Sequence, residues 1–476
     1  MPLTRFCPVT KRRVDGLPPS APFPAMLQTL ACRWSPFGYL EWCRERLGDS
    51  FTVYPINMPP LVFLSNPRDI RTVTTAPADI LHPGAGGAIM KPIFGEGAFV
   101  LREEAEHLTG RTAVMPALHR RVVQEHSEAI ATQIGSEVAS WPTETIFALD
   151  QGLRSLTLKI LLKVVLHTDD TTHETLRHRM LAMLSVMPSP VLQEPWLRHL
   201  PGWHSTWRMF TKQRQGVHDL ISALIIERRR NNTHHGDMLD ALIAARTPDG
   251  LPLADDEVRD SFASVLIAGH ETTAAQLGWA FQLLAHNPII QHRLAAEIDH
   301  GACNEYMTAT IQETMRHGPV FLFTPPRAVA KPIKIGGRIY LPPAQLAGCI
   351  YLMHHDPRLH PDPHTFRPER FLGQHAHPAT FLPWGAGRKH CPGRHLALAV
   401  MQSILHHVLA TRHVRPASLR VESPRWRSAI LAPQAGCRVV LERRRPPSAS
   451  PTRPAKRCIR SLSSADPVDR PPSASD

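Results

Sequence analysis

The stretch from Asp255 to Asn287 constrains the fold of this chain more than any other. It opens on Asp255, Asp256 and Glu257, acids suited to the first turn of a helix, and stops at Asn287-Pro288, where proline ends the pattern. About 30 residues at 1.5 Å each make a rod of roughly 45 Å, long enough to cross the whole molecule. Phe262, Val265, Leu266, Gly269, Leu277, Phe281 and Leu284 recur along it at three- and four-residue steps and mark its expected buried face. From Arg102 to Leu284 apolar residues keep helical spacing in further segments, including Gly152 to Leu166 and Gly216 to Arg230. Strand-like pieces are short: Phe51-Thr-Val-Tyr-Pro with Leu61-Val-Phe-Leu, and Ile333-Lys-Ile-Gly-Gly-Arg-Ile-Tyr-Leu. A last helix after Cys391 is expected to bury Leu396, Ala399, Val400, Ser403, Ile404, His407 and Val408. The fold class that follows is mainly α with small β-sheets (α+β).

The 476 residues are 43% hydrophobic, enough for a substantial core. The 46 prolines fall between periodic segments or near the ends, which divides the chain into an irregular Pro-rich segment 1–35, a body 36–442 and a basic Pro/Ser/Arg-rich tail 443–476 expected to be disordered. The formal charge of +13 is no sign of nucleic acid, because the tail from Arg443 alone supplies +5 and no nucleic-acid motif accompanies the rest. Eight cysteines without a C-x-x-C pair suit a reducing compartment. No run of about 18 apolar residues is present, so neither a transmembrane anchor nor a signal peptide is expected, and the cytoplasm is the expected location.

Cys391 lies in Phe381-Leu-Pro-Trp-Gly-Ala-Gly-Arg-Lys-His-Cys391-Pro-Gly-Arg-His395, a glycine-rich turn that leads into the last helix. A sulfur at a helix N-terminus meets the positive end of the macrodipole and nearby N–H groups, which favour its thiolate. Gly385, Gly387 and Gly393 let backbone pass close to a large planar ligand. One thiolate excludes a four-sulfur zinc or iron–sulfur cage and points to haem iron with a Cys axial ligand, against the bland alternative of an inert buried cysteine.

Within the long helix, Ala268-Gly-His-Glu-Thr-Thr273 places polar groups in an apolar midsection. Gly269 thins the helix for a ligand; Thr272 can hydrogen-bond bound dioxygen, and Glu271 can pass protons inward. A bent helix with a surface acid explains these residues equally well when they are taken alone. A zinc-protease motif fails, because Ala274 stands where H-E-x-x-H needs histidine. Glu313 and Arg316, three apart on a helix, can pair and recruit Arg370 from Phe366-Arg-Pro-Glu-Arg-Phe371.

In this order, Ala-Gly-x-Glu-Thr-Thr, Glu-x-x-Arg, Pro-Glu-Arg-Phe and Gly-x-Arg-Lys-x-Cys-Pro-Gly resemble the soluble bacterial type of the cytochrome P-450 superfamily of haem-thiolate monooxygenases, over nearly the whole chain. The resemblance implies heme b held between the long helix and the Cys turn, with Cys391 as proximal ligand. Glu271 and Thr272 become an acid–alcohol pair, and Glu313, Arg316 and Arg370 a structural triad. It also implies that His107, Arg111, Arg327 and Lys389 meet the haem propionates, supplying four cationic partners. Gly387 and Gly393 would make room for the haem. The chain departs from the family pattern at Trp384, usually Phe, which still shields the sulfur, and at Lys389, usually Arg, which loses a bidentate fork. The connection from Ile298 to Tyr306 is also short for the family.

The activity this implies is insertion of one atom of dioxygen into a hydrophobic organic substrate, by hydroxylation or epoxidation. No flavin or nicotinamide fingerprint is present, so two electrons are expected from a ferredoxin or flavodoxin with its NAD(P)H reductase, docked at Arg388, Lys389, Arg394 and Arg412. A peroxide-using peroxygenase, a hydroperoxide-rearranging enzyme and a non-catalytic haem-binding protein are the alternatives. The substrate pocket is expected from segments 82–100 and 180–200, the inner face of the long helix, Val320 to Pro325 and Ser428 to Pro433.

Overall fold

The computed structural model describes residues 16–444 other than 57, 88–89, 193, 302–303 and 374–375. Most of the tail, the first fifteen residues, Cys7, Cys303 and Cys458 therefore lie outside the described residues.

The rod is there. Helix α8 spans Asp255–His286, 32 residues, with Glu257 accepting the Ala254 N–H at 3.1 Å to close its first turn. It is enclosed on nearly all sides and so lacks the single buried face expected of it. The cause is its position: α5 (Leu149–Val165), α7 (Trp203–Asn231), α9 (Glu305–His317), α10 (Arg394–Thr411) and strand β11 (Ile430–Pro433) all pack on it. One interruption in that enclosure matters. Ala268 and Gly269 are exposed at the middle of the rod, so Gly269 does not belong to the buried face.

Ahead of these, α1 (Ala25–Trp34), α2 (Pro36–Leu47), α3 (Pro67–Thr75) and α4 (Glu104–Val114) cover one side, and α6 (Asp170–Leu184) packs on α7. Helix α1 corrects the expectation that 1–35 is irregular. The prolines end at Pro24, and beyond it Gln28 and the Cys32 carbonyl tie the helix to Tyr54 and Trp426.

Strands β1 (Ser50–Val53) and β2 (Leu61–Leu64) pair antiparallel with Phe51 opposite Phe63, as the apolar runs predict. They join β3 (Leu81–His82), β5 (Arg327–Val329) and β8 (Gln345–Gly348) in a sheet ordered β1-β2-β8-β5-β3. β6 (Ile333–Ile335) and β7 (Arg338–Tyr340) form a hairpin across Gly336 and Gly337, both at positive φ, the geometry a two-residue turn demands. β4 (Ile146–Ala148), β12 (Arg438–Arg443) and β9 (Arg412–Pro416) make a third sheet, and β10 (Pro424–Arg427) pairs with β11. Helix α10 buries Leu396, Val400, Ile404 and Val408 as expected, and also Met401, Leu405 and Leu409, because the helices Ser127–Ser140 and Pro288–Asp299 pack on it as well as α8. The short connection into α9 is closed by Glu297, whose carboxylate accepts the N–H groups of Tyr306 and Met307 at 2.7 and 2.9 Å.

Candidate active site

Cys391 sits between a short helical turn at Gly387–Lys389 and α10, its N–H donating to the Trp384 carbonyl at 2.8 Å. The Gly393 N–H is directed at its sulfur and Arg111 and Arg394 lie nearby, as a thiolate site requires. Burial nevertheless pushes the thiol up against all three, so the helix N-terminus does not ionise the sulfur by itself. A cation bound at the sulfur would favour its thiolate. Elsewhere burial pushes Cys32 and Cys349 up to about 12 and Cys43 to about 11.

The glycines divide into two kinds. Gly385 and Gly387 adopt positive φ, but a Cβ on Gly387 would lie 2.1 Å from the Thr74 carbonyl oxygen, so that glycine serves contact with α3 and does not make room for a ligand. A Cβ on Gly393 would meet nothing within 4 Å. Trp384 is half-buried against the main core.

His107, Arg111, Arg327 and Lys389 approach one region from α4, β5 and the Cys turn. Arg111 donates to the His390 carbonyl at 2.7 Å, Arg327 to those of Thr74 and Ala76 at 2.8 and 3.3 Å, and Lys389 to those of Val100 and Arg102 at 3.2 and 2.7 Å. Burial lowers all three, Lys389 to about 8. Three buried cations rest on carbonyl oxygens with no directly paired carboxylate among the described residues, and a dicarboxylate would supply that pairing. The residues therefore fit a porphyrin with two propionates, and the exposed Ala268–Gly269 midsection of α8 leaves its other side open. One correction concerns His107. Burial, with Lys389 and Arg111 beside it, drops its pKa to about 3, so it is neutral and three cations are present where four were expected.

Glu271 and Thr272 are not brought together. Successive helical residues point about 100° apart, and Thr272 donates to the Ala268 carbonyl at 2.7 Å. Glu271 turns toward α5, where Arg154 Nε meets it at 2.6 Å, Arg427 at 3.5 Å and His270 at 3.7 Å. Burial alone would raise its carboxyl, but Arg154, His270 and Arg427 outweigh it and hold Glu271 ionised. Arg427 is shared with Asp150 at 2.8 Å. Sequence reasoning missed Arg154, Arg427 and Asp150; no local motif marks them, since they come from α5 and β10. A Cβ on Gly269 would approach Leu161 of α5 to 2.9 Å, so the thinning of the rod admits a helix as well as a ligand.

Glu313 and Arg316 form a fully buried bidentate pair at 2.7 and 2.9 Å, and Arg370 reaches Glu313 at 3.4 Å. The Arg367 N–H adds a bond to Glu313 at 2.8 Å, and Arg316 donates to the His354 carbonyl at 2.9 Å.

Of the four proposed docking cations, Arg388 is exposed beside Glu104 and Arg394 is half-buried near Cys391. Lys389 turns inward, and Arg412 follows the far end of α10, whose 18 residues place it about 27 Å from the Cys turn. The expected pocket segments converge through hydrogen bonds: the Ser428 N–H donates to the Met187 carbonyl, the Leu431 N–H to the Val320 carbonyl, and the Phe99 N–H to the Ser261 hydroxyl of α8. Trp279 of α8 donates to the Leu431 carbonyl at 3.2 Å. Among the described residues no cluster of three or more His, Cys, Asp or Glu side chains could hold a metal ion.

A family model described as Cytochrome P-450 matches residues 17–436. Two Mycobacterium tuberculosis proteins with provisional names are similar. One, named cytochrome P-450 135A1, is 31% identical over 444 residues, 90% of this chain and 96% of that one. The other, named cytochrome P-450 135B1, is 27% identical over 447 residues, 91% of this chain and 93% of that one. Among solved structures, retinoic acid bound cyanobacterial CYP120A1 matches with a TM-score of 0.77 at 19% identity, over 90% of this chain and 99% of that chain.

Proposed function

The chain belongs to the cytochrome P-450 family and is a haem-thiolate monooxygenase, and from that premise we propose that it hydroxylates or epoxidises a hydrophobic organic substrate with electrons from a separate ferredoxin or flavodoxin. The observation that carries the site assignment is the meeting of one cysteine with three buried cations that rest on carbonyl oxygens and have no directly paired carboxylate among the described residues. Cys391 would supply the thiolate to the iron, Arg111, Arg327 and Lys389 would pair with the propionates, and neutral His107 would offer a hydrogen bond. When bound, the haem activates dioxygen, its thiolate pushing electron density toward O–O cleavage.

The chain's own residues do the rest. Thr272 Oγ1, fixed by the Ala268 carbonyl, presents its lone pairs at the exposed midsection of α8 and holds a proton there. Glu271 can relay a proton only by leaving Arg154, so its carboxylate mainly anchors α8 to α5 and β10. Val320 and Ile430, packed with Ala275 and Trp279 of α8, would supply part of an apolar wall that excludes water. Glu313, Arg316 and Arg370 lock α9 against the loop before the Cys turn.

Residues 36–442 with α1 form the catalytic unit. Among the described residues no helix is long and apolar enough to cross a membrane, and the unpaired thiols among them support a cytoplasmic setting.

Turnover of a hydrophobic ligand that shifts the ferric Soret band, with NADPH and a surrogate ferredoxin pair, tests the reading. Product formed with hydrogen peroxide but not with the reducing system would replace it with a peroxygenase, and neither would leave a haem binder.

A further inference from the structure

Three cations line the porphyrin-edge pocket, and the two propionates of a haem answer only two of them. The structure supplies the third negative charge from the chain. Glu103 precedes α4 on the turn whose carbonyls at Val100 and Arg102 receive Lys389. Its Oε1 accepts the Gly84 N–H at 2.7 Å. Its Oε2 is buried and has no hydrogen-bond partner. The seat is built for this side chain: a Cβ on Gly84 would fall 2.6 Å from Glu103 Oε1 and 2.5 Å from the Leu101 carbonyl oxygen. Lys389 Nζ sits on the carbonyl of the residue before Glu103, and the turn Pro83–Gly86 that holds the Glu103 carboxylate packs on β5, which carries Arg327. A carboxyl oxygen buried without a donor is costly unless nearby cations compensate it, and a surplus cation is costly for the same reason.

We propose that Glu103 is the pocket's resident counter-charge: it neutralises one of the three cations, so that the remaining two match a porphyrin carrying two carboxylates. Glu103 is thus a positioning residue, reaching the haem edge through Arg327 and Lys389. The proposal rests on the reading of this region as a haem site.

The test uses the full chain and Glu103→Gln, each loaded with hemin or with hemin dimethyl ester, whose carboxylates are masked. Each is mixed with excess apomyoglobin, and porphyrin loss is followed optically. The amide keeps the shape of the side chain but leaves one cation unanswered, which favours the dicarboxylate over the diester. The ratio of ester to hemin release rates is expected to rise about tenfold in the variant, the scale of one unit charge acting over roughly 12 Å at an effective dielectric of about 20. A purely structural role at Gly84 would speed both releases alike and leave the ratio unchanged, which overturns the proposal. A variant that takes up neither porphyrin overturns it too. Wild-type protein that takes up no hemin would sink the haem-site reading itself, a result distinct from an unchanged ratio.

Discussion

The residues that carry chemistry in this chain differ in how much of their role a neighbouring residue reveals. Cys391 and Glu313–Arg316 are legible because their partners are local or motif-bound. Glu271 is not, because Arg154 and Arg427 come from elements far away in the chain. His107 was overcounted as a cation, since its neutrality depends on burial beside Lys389 and Arg111. At this scale Glu271→Gln and Thr272→Ala should separate. Removing the carboxylate leaves the buried Arg154 guanidinium without its partner, while Arg427 keeps Asp150, and should cost about 3 to 5 kcal/mol of unfolding free energy. Thr272→Ala should cost about 1 kcal/mol and release more hydrogen peroxide per NADPH. Denaturant midpoints and peroxide yields check both, and equal destabilisation would contradict the separation.

The rod and its flanking helices follow from apolar spacing, and the β6–β7 hairpin from its paired glycines, so most elements were readable in advance. Helix α1 was hidden by the prolines before it, and the all-round enclosure of α8 by neighbours that periodicity cannot see. Helix α9 depends on the Glu313–Arg316 pair. Glu313→Gln should destabilise the fold by about 3 to 5 kcal/mol, because Arg316 stays buried with its partner's charge lost.

Around the same helix, burial lowers His317 and His360, and lowers His354 and His355 well below the ordinary value. The facing charges are Arg316, Glu313, Arg370 and His364. Unfolding lets these imidazoles take protons that the folded protein refuses. Their folded form is therefore fully favoured above about pH 6.5 and loses stability as pH falls below that unfolded-state value. Denaturant midpoints at pH 7.5 and 5.5 should show the drop, and His355→Gln should flatten it. A midpoint that does not change over this range would contradict the assignment.

Over the whole molecule, the excess positive charge expected to draw an electron donor is less concentrated than the sequence suggests. Lys389 faces inward and Arg412 lies a helix length away, which leaves Arg388 and Arg394 beside the Cys turn. Arg388→Gln with Arg394→Gln should slow reduction by an acidic ferredoxin severalfold and flatten its salt dependence, with Arg412→Gln close to wild type. Stopped-flow reduction across a salt series measures this, and equal effects at all three positions would place the donor elsewhere. The claim on which the rest depends is that the Cys391 sulfur ligates haem iron at the edge of that surface. The most direct measurement is the ferrous carbon monoxide difference spectrum of the wild type and of Cys391→His. The wild type should show the long-wavelength Soret band of a thiolate ligand, and the variant should lose it while retaining haem. Persistence of that band without the sulfur, or its absence in haem-loaded wild type, would contradict the account.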